Sequence, residues 1–328
     1  LENRSTIEGA PILESKQLKK LKQKRNRKNS NLKTIKKNWD LYLLIFPVII
    51  YFIVFKYYPM YGAQIAFKDF IAVEGITGSP WVGFEHFKRF FNSFYFGRLI
   101  ENTLVIGLYE LAVGFPIPII LALMINEVKN KRFKRIVQTV TYAPHFLSIV
   151  VVVALLFMFL SPQTGILNNI IVALGGEPVS FMTEPAWFKT IYVLSGVWQT
   201  MGWSSIIYLA ALGGIDPQLQ EAAKIDGASK LQVIWHINLP AIKSTIIIML
   251  ILQCGSILGV GFEKVFLMQN SLNMEASDVI ATHVYRTGII GSQYSYSTAI
   301  GLFESVINFI VLIIVNYMAR KINKVSLW

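Results

Sequence analysis

The sequence predicts an all-α integral membrane protein with six transmembrane helices. Only 15% of its 328 residues are charged and its mean hydropathy is +0.50, against roughly 25% charged residues in a typical soluble domain. Six apolar segments, near 39–58, 102–125, 137–160, 188–212, 245–261 and 297–318, approach the roughly 20 residues a helix needs to cross the hydrocarbon core. Lys and Arg gather at alternate ends of these segments, as the cytoplasmic bias of basic residues requires.

The segment before the first span, 1–38, holds eleven Lys or Arg between Lys16 and Lys37 and no acid in that stretch. Such a run is a topology signal and a match for anionic lipid headgroups, at roughly 1 kcal/mol per residue near the surface. It supplies most of the net charge of +12, which is therefore no argument for a nucleic-acid partner. Residues 5–15 and 29–33 lack apolar periodicity and read as disordered, while 16–28 is compatible with a short helix. The first span is expected to act as an uncleaved insertion signal.

Residues 39–98 are assigned to this span and an external segment. There Phe84, Phe87, Phe91 and Phe94 recur at helical spacing beside Lys88 and Arg89. The pattern predicts an interfacial helix, with a docking surface as the alternative. In span two, Gly114-Phe115-Pro116-Ile117-Pro118 predicts a kink, because each proline removes a backbone donor and crowds the preceding turn. Lys129, Lys131, Arg132, Lys134 and Arg135 then mark a cytoplasmic loop, whereas 161–187 contains no Lys or Arg and is read as external. The fifth segment is short unless 241–244 extend it. After span six, Arg320, Lys321 and Lys324 place the tail 319–328 in the cytoplasm, so the topology is N-in/C-in. The sole cysteine, Cys254, excludes an intrachain disulfide. Glu110 and Glu304 fall inside spans, where a charge costs about 2.5–3.5 kcal/mol on insertion scales. A hydrogen bond at a subunit interface is preferred for them over proton coupling.

The loop 215–240 is polar yet helix-forming. Asp216 is placed to cap a helix that begins at Pro217, and Leu219, Ala222, Ala223 and Ile225 give that helix an apolar side. Gly227 supplies a stop, and Ser229-Lys230-Leu231-Gln232 reads as a capping box for a second helix running toward Ile237. Pro240 is expected to break that helix before span five. The result is a helix, a turn and a helix projecting from the membrane, a shape suited to insertion into a partner's cleft.

The rest of the chain carries no recognisable catalytic constellation. It has no Gly-x-x-x-x-Gly-Lys-Ser/Thr loop for phosphates, so ATP and Mg²⁺ are expected on partner subunits and no cofactor on this chain. His86, His145, His236 and His283 are scattered without metal-ligand spacing, and no metal site is expected. A membrane glycosyltransferase or polymerase would call for clustered carboxylates, which are missing from the sequence pattern.

Glu221-Ala222-Ala223, three intervening residues, Gly227, and a distal Ile237-Asn238-Leu239-Pro240 resemble the EAA loop of ABC importer permeases. From about residue 99 to 318 the chain is similar to the MetI-like transmembrane domain of type I binding-protein-dependent importers. Within these it resembles the carbohydrate permeases related to maltose and alginate systems, notably oligosaccharide and polysaccharide permeases of Gram-positive bacteria. Residues 81–87, Val284-Tyr285-Arg286 and 294–301 carry that finer resemblance. It implies a multi-pass protein of the bacterial cell membrane that works with a second permease, expected to be a paralogue, two ABC ATPase subunits and an extracellular solute-binding protein. Glu221, Ala222, Ala223, Asp226 and Gly227 would serve ATPase coupling, with Leu239 and Pro240 anchoring the loop. Counting from the motif places Gln199, Thr200, Trp203, Gln253 and Ser256 on an oligosaccharide path, with Trp203 as a stacking platform. The alternative for Trp203 is an interfacial or packing aromatic. The alternative function is a permease for another solute class.

Overall fold

The structure, a computed structural model, describes residues 37–328; the expectations for the basic tail before Lys37 lie outside the described residues. The described residues separate into two compact units, 37–63 and 64–328. In the first unit, α1 (Trp39–Phe52) continues through a π-helical turn, Ile53–Tyr57, and a last turn, Tyr58–Met60. None of the α1 side chains is buried.

The second unit contains α2 (Glu85–Phe91), α3 (Phe96–Glu127), α4 (Lys131–Phe146), α5 (Ile149–Phe159) and α6 (Pro185–Gly213). It continues with α7 (Pro217–Ile225), α8 (Lys230–Cys254), α9 (Phe262–Met268), α10 (Ile280–Tyr285) and α11 (Tyr294–Asn323). Among the described residues the only extended pairing is a single bridge between Lys68 and Trp81, and no strand forms.

Among the described residues, four helical stretches are long and apolar enough to cross a bilayer: Trp39–Phe67, Phe96–Glu127, Lys230–Cys254 and Tyr294–Ile322. The expected third span departs from a straight crossing, because α4 and α5 meet at a bend of 102°. Asn130 caps the start of α4 through its side chain, and Ser148 caps α5 in the same way, so each half begins as an independent helix. The 11 residues of α5 are too few to cross alone. The fourth span lies within α6, whose 29 residues suffice in length but include Gln199, Thr200, Ser204 and Ser205.

The expected fifth span, 245–261, is corrected at both ends. Its helix begins at Lys230 and stops at Cys254, after which Gly255 starts a series of turns. The kink expected at Gly114–Pro118 takes the form of a π-helical turn, Glu110–Gly114, directly before Pro116. The interfacial helix expected from the phenylalanine repeat is only α2, seven residues long. Phe84, Phe91 and Phe94 are exposed, but Phe90, outside the repeat, is the fully buried one.

The core is organised around α6. Tyr192, Val193 and Val197 pack with Ile106 of α3, Val153 of α5 and Val265 of α9. One end of the same helix, through Tyr208 and Leu212, meets Ile119 and Leu123 of α3 and Ile242 of α8. Its approach to α4 is backbone-close: a Cβ on Gly202 would overlap the Thr141 carbonyl oxygen and the Tyr142 ring. Around the N-terminal end of α11, Phe90, Leu99, Ile280, Tyr296 and Ile300 form a further cluster.

Beside that cluster, the buried Asp278 carboxylate accepts two 2.9 Å hydrogen bonds from Arg286 and pairs with Arg98 at 3.3 Å. Asn102 donates to the carbonyls of Glu275 and Asp278 at 2.8 and 3.0 Å, fixing this collar to α3. His283 is buried in it with Nε2 unpartnered among the described residues. Burial holds the His283 imidazole below its ordinary value of 6.5; Asp278 pulls it up, and Arg286 and Arg98 push it down.

Two consequences are measurable. Replacing Gly202 by Val should destabilise the α4–α6 contact by about 1–3 kcal/mol or more, the range for overpacking, and lower the thermal midpoint in detergent. The unfolded chain takes up a proton at His283 that the folded collar resists. Its contribution to stability is therefore complete above about pH 6.5 and lost progressively as the pH falls from there through the lower value of the folded state. The thermal midpoint should accordingly fall more steeply between neutral and acidic pH in the wild type than in His283→Gln.

Candidate functional site

The loop between α6 and α8 forms as its residues dictate. The Asp216 carboxylate accepts from the Gln218 N–H at 3.0 Å, satisfying a free donor at the start of α7. Gly227 has φ +80°, the left-handed conformation a side chain resists, and the Ala228 N–H returns to the Ala223 carbonyl at 2.9 Å. The capping box closes on both sides: Ser229 N–H donates to Gln232 Oε1 at 2.7 Å, and Gln232 N–H donates to Ser229 Oγ at 3.4 Å.

The expected break at Pro240 is absent. A π-helical turn, Ile234–Asn238, widens the helix immediately before Leu239-Pro240. Opening the turn by one residue accommodates the missing N–H and the bulk of the ring, so α8 runs unbroken from the loop into the span. This makes the second half of the loop a rigid extension of a long helix.

Anchoring falls to Leu239 and Asn238. Leu239 packs in the cluster with Ile119 and Tyr208, whereas Pro240 is exposed. Asn238, the variable position of the motif, is 0% exposed. Its Oδ1 accepts from Gln220 of α7 at 3.0 Å and its Nδ2 donates to Glu127 at the end of α3 at 3.4 Å. One buried amide therefore joins α7, α8 and α3, and the pattern alone gave no reason to single it out.

Glu221, Ala222, Asp226 and Gly227 are exposed and Ala223 is half-buried. The apolar side expected of α7 is left uncovered by this chain, with Ile225 86% exposed and Leu219 also open to solvent. Leu231 and Trp235 extend this surface along α8. Contiguous exposed apolar side chains on an otherwise polar loop mark an interaction surface.

Deeper in the unit, two adjoining clefts open beside α6. One, of about 300 Å³, is lined by Glu110, Tyr192, Gln199, Thr200, Glu263 and Lys264; the other, of about 270 Å³, by Glu110, Thr200, Ser204, Tyr208, Met249 and Gln253. Glu110, on the π-helical turn of α3, and Thr200 line both. Three of the five residues expected on a solute path, Gln199, Thr200 and Gln253, are thus brought together. Gln199 donates to the Leu147 carbonyl at 3.1 Å, at the α4–α5 bend, and Thr200 to the Gly196 carbonyl at 2.8 Å.

The other two lie elsewhere. Trp203 shares a face with Gln199; its ring is stacked on His145 at 4.5 Å, meets Phe146 edge-on and is 47% exposed, so one face is taken within the chain. Ser256 is exposed in the turn after α8, its hydroxyl bonded to the Gln253 carbonyl. A larger groove of about 540 Å³ between α5 and α6 is almost wholly apolar, with Leu156, Phe181, Trp187 and Trp198 among its walls. Its polar lining is confined to Thr190, Ser195 and the two indoles.

Sequence reasoning missed Lys264 and Tyr192. Lys264 is buried, with its ammonium donating to the Tyr192 carbonyl at 2.6 Å and lying 4.6 Å from the Tyr192 ring centre. The Tyr192 hydroxyl accepts from the Gly261 N–H at 3.1 Å. In sequence Lys264 sits just past an apolar run, where a lysine reads as an ordinary interfacial residue; only the fold of α9 against α6 turns it inward.

Comparison with known proteins agrees with this architecture. The family model described as "Binding-protein-dependent transport system inner membrane component" matches residues 114–324. The chain is 46% identical over 305 residues to the polygalacturonan/rhamnogalacturonan transport system permease protein YteP of Bacillus subtilis, covering 93% of this chain and 95% of that one. It is also 46% identical to LplB of the same organism, over 90% of this chain and 92% of that one. A solved bacterial alginate ABC transporter, in complex with alginate pentasaccharide-bound periplasmic protein, contains a chain of 44% identity that superposes with a TM-score of 0.83, covering 90% of this chain and 99% of that one. Another structure, of a bacterial ABC transporter involved in the import of the acidic polysaccharide alginate, gives 45% identity and a TM-score of 0.82, over 89% and 98% of the respective chains. With the matched region spanning most of the helical unit that holds the loop and the clefts, this chain belongs to the inner-membrane permease components of binding-protein-dependent ABC transport systems, multi-pass and non-enzymatic.

Proposed function

We propose that this chain is a transmembrane permease subunit of an ATP-driven importer for oligosaccharides or polysaccharide fragments. The observation that carries the reading is the pairing of an exposed, rigidly mounted coupling loop with polar clefts along α6, in a chain 46% identical to a polygalacturonan/rhamnogalacturonan permease. Gln199, Thr200 and Gln253 supply amides and a hydroxyl for sugar hydroxyls. Trp203 contributes by holding the α4–α5 bend through His145, and Ser256 lies at the margin of the path.

The complete assembly has a second permease, expected to be a paralogue, two ATPase subunits that hold ATP and Mg²⁺, and an extracellular solute-binding protein. The exposed apolar residues of α7 and α8 fit the ATPase contact, with Glu221, Ala222, Ala223, Asp226 and Gly227 forming or shaping it. Motion of the ATPases would pass through Asn238 and the unbroken α8 to the clefts. Six crossings, with α4–α5 counted as one bent passage, put both chain ends and the loop in the cytoplasm. The run Lys129–Arg135 and Arg320, Lys321 and Lys324 at the end of α11 support that orientation.

Orientation is tested with single cysteines in a Cys254→Ser background. A cysteine at the exposed Thr164 should react with an impermeant thiol reagent in intact cells and one at the exposed Ser229 should not; labelling of Ser229 would reverse the topology and remove the coupling role. Coupling is tested at Gly227, where a Cβ would meet nothing within 4 Å but φ is +80°. The penalty is then conformational, about 1–3 kcal/mol for a residue held in the left-handed region. Gly227→Val should depress saccharide uptake and saccharide-stimulated ATP hydrolysis together, whereas Gly227→Asn, which tolerates positive φ, should retain both. Full uptake by Gly227→Val would remove the loop from the transmission path.

A further inference from the structure

We propose that Lys264 reads charge in the polar cleft of α6, pairing with a carboxylate of an acidic saccharide. The proposal rests on the carbohydrate-permease reading and deepens it from saccharides in general to those bearing uronate groups. Lys264 is 7% exposed, and its ammonium spends one donor on the Tyr192 carbonyl at 2.6 Å. Two donors remain at an amine that lines the cleft. A Cβ on Gly196 would stand 3.2 Å from Nζ, so the absence of a side chain there keeps the ammonium accessible from α6.

A buried ammonium is costly unless paired and hydrogen-bonded. The Tyr192 carbonyl and ring neutralise none of its charge. Among the described residues no carboxylate lies within ion-pair distance of it; both ion pairs there belong to Asp278. Glu110 lines the same cleft beyond that distance, and Glu263 lines it from an exposed position. These carboxylates temper the local potential without satisfying the amine's donors, leaving a direct partner to be supplied by whatever occupies the cleft. Gln199 and Thr200 beside Lys264 suit the hydroxyls of a sugar, and a ring carboxylate would complete the set with a charge-assisted hydrogen bond.

The test uses the assembled transporter, purified through a tag on this chain, reconstituted in vesicles with its binding protein and supplied with labelled uronate oligosaccharides or their carboxyl-reduced neutral counterparts. The same binding protein serves every permease variant, so its own preference cancels from the comparison. Lys264→Met should lower the ratio of acidic to neutral transport at least tenfold, Lys264→Arg should keep most of it, and Glu110→Gln should raise it by removing a competing carboxylate. Recovery of the ATPase subunits with each variant controls for assembly. An unchanged ratio in an assembled Lys264→Met, or Lys264→Met and Lys264→Arg losing both substrates alike, would overturn the proposal. Wild-type transport of neutral saccharides alone would also overturn it while leaving the carbohydrate permease intact; transport of neither would overturn the underlying reading as well.

Discussion

A backbone hydrogen bond left open in an apolar medium costs several kcal/mol, and this constraint governs how the long helices pass three of their prolines. Three π-helical turns, Ile53–Tyr57, Glu110–Gly114 and Ile234–Asn238, each end two residues before a proline: Pro59, Pro116 and Pro240. Widening the helix just upstream relieves the clash between the pyrrolidine ring and the preceding turn and shifts the bonding register around the missing N–H. Helices that would otherwise end or bend sharply continue through these positions. A fourth π-helical turn, Arg286–Ile290, has no such proline.

Two of these turns also deliver the polar groups on which the site depends. Glu110 opens the turn of α3 and lines both clefts. Asn238 closes the turn of α8 and holds α7 and the end of α3 through its amide. A buried amide with both ends bonded is directional in a way that apolar packing is not, because leaving either end unmet costs about 1–3 kcal/mol. A displacement of α7 therefore has a defined mechanical route into α8 and α3. Between these helices, Gln199, Thr200 and Ser204 of α6 face the clefts, Val193, Val197 and Leu212 hold the helix in the core, and Tyr192 and Tyr208 do both.

Most of the coupling loop was legible because its signals are local. Asp216 before Pro217, glycine at a left-handed position, and Ser229 three residues before Gln232 each act within a few bonds, and each forms as read. The misreading at Pro240 had a physical source: a proline reports a lost N–H, but whether the helix stops or widens depends on what packs around it. Here Leu239 and Asn238 are held by α3 and α6 on one side and by α7 on the other. The expectation of one straight span over 137–160 overlooks Pro144, His145 and the capping Ser148, which interrupt its apolar run where the chain turns by 102°.

By itself, the sequence determined the membrane class, the helical character, the loop and its motif. Those follow from hydropathy and from interactions between residues a few positions apart. The tertiary structure alone decided which polar residues meet. Gln199 and Gln253 are 54 positions apart, and it takes the packing of α6 against α3 and α8 to place them along adjoining clefts with Glu110. The same packing occupies Trp203 with His145 and turns Lys264 from an apparent interfacial lysine into a buried cation facing a polar cleft. Side-chain direction at such positions depends on contacts between distant segments, and no local pattern of spacing records it.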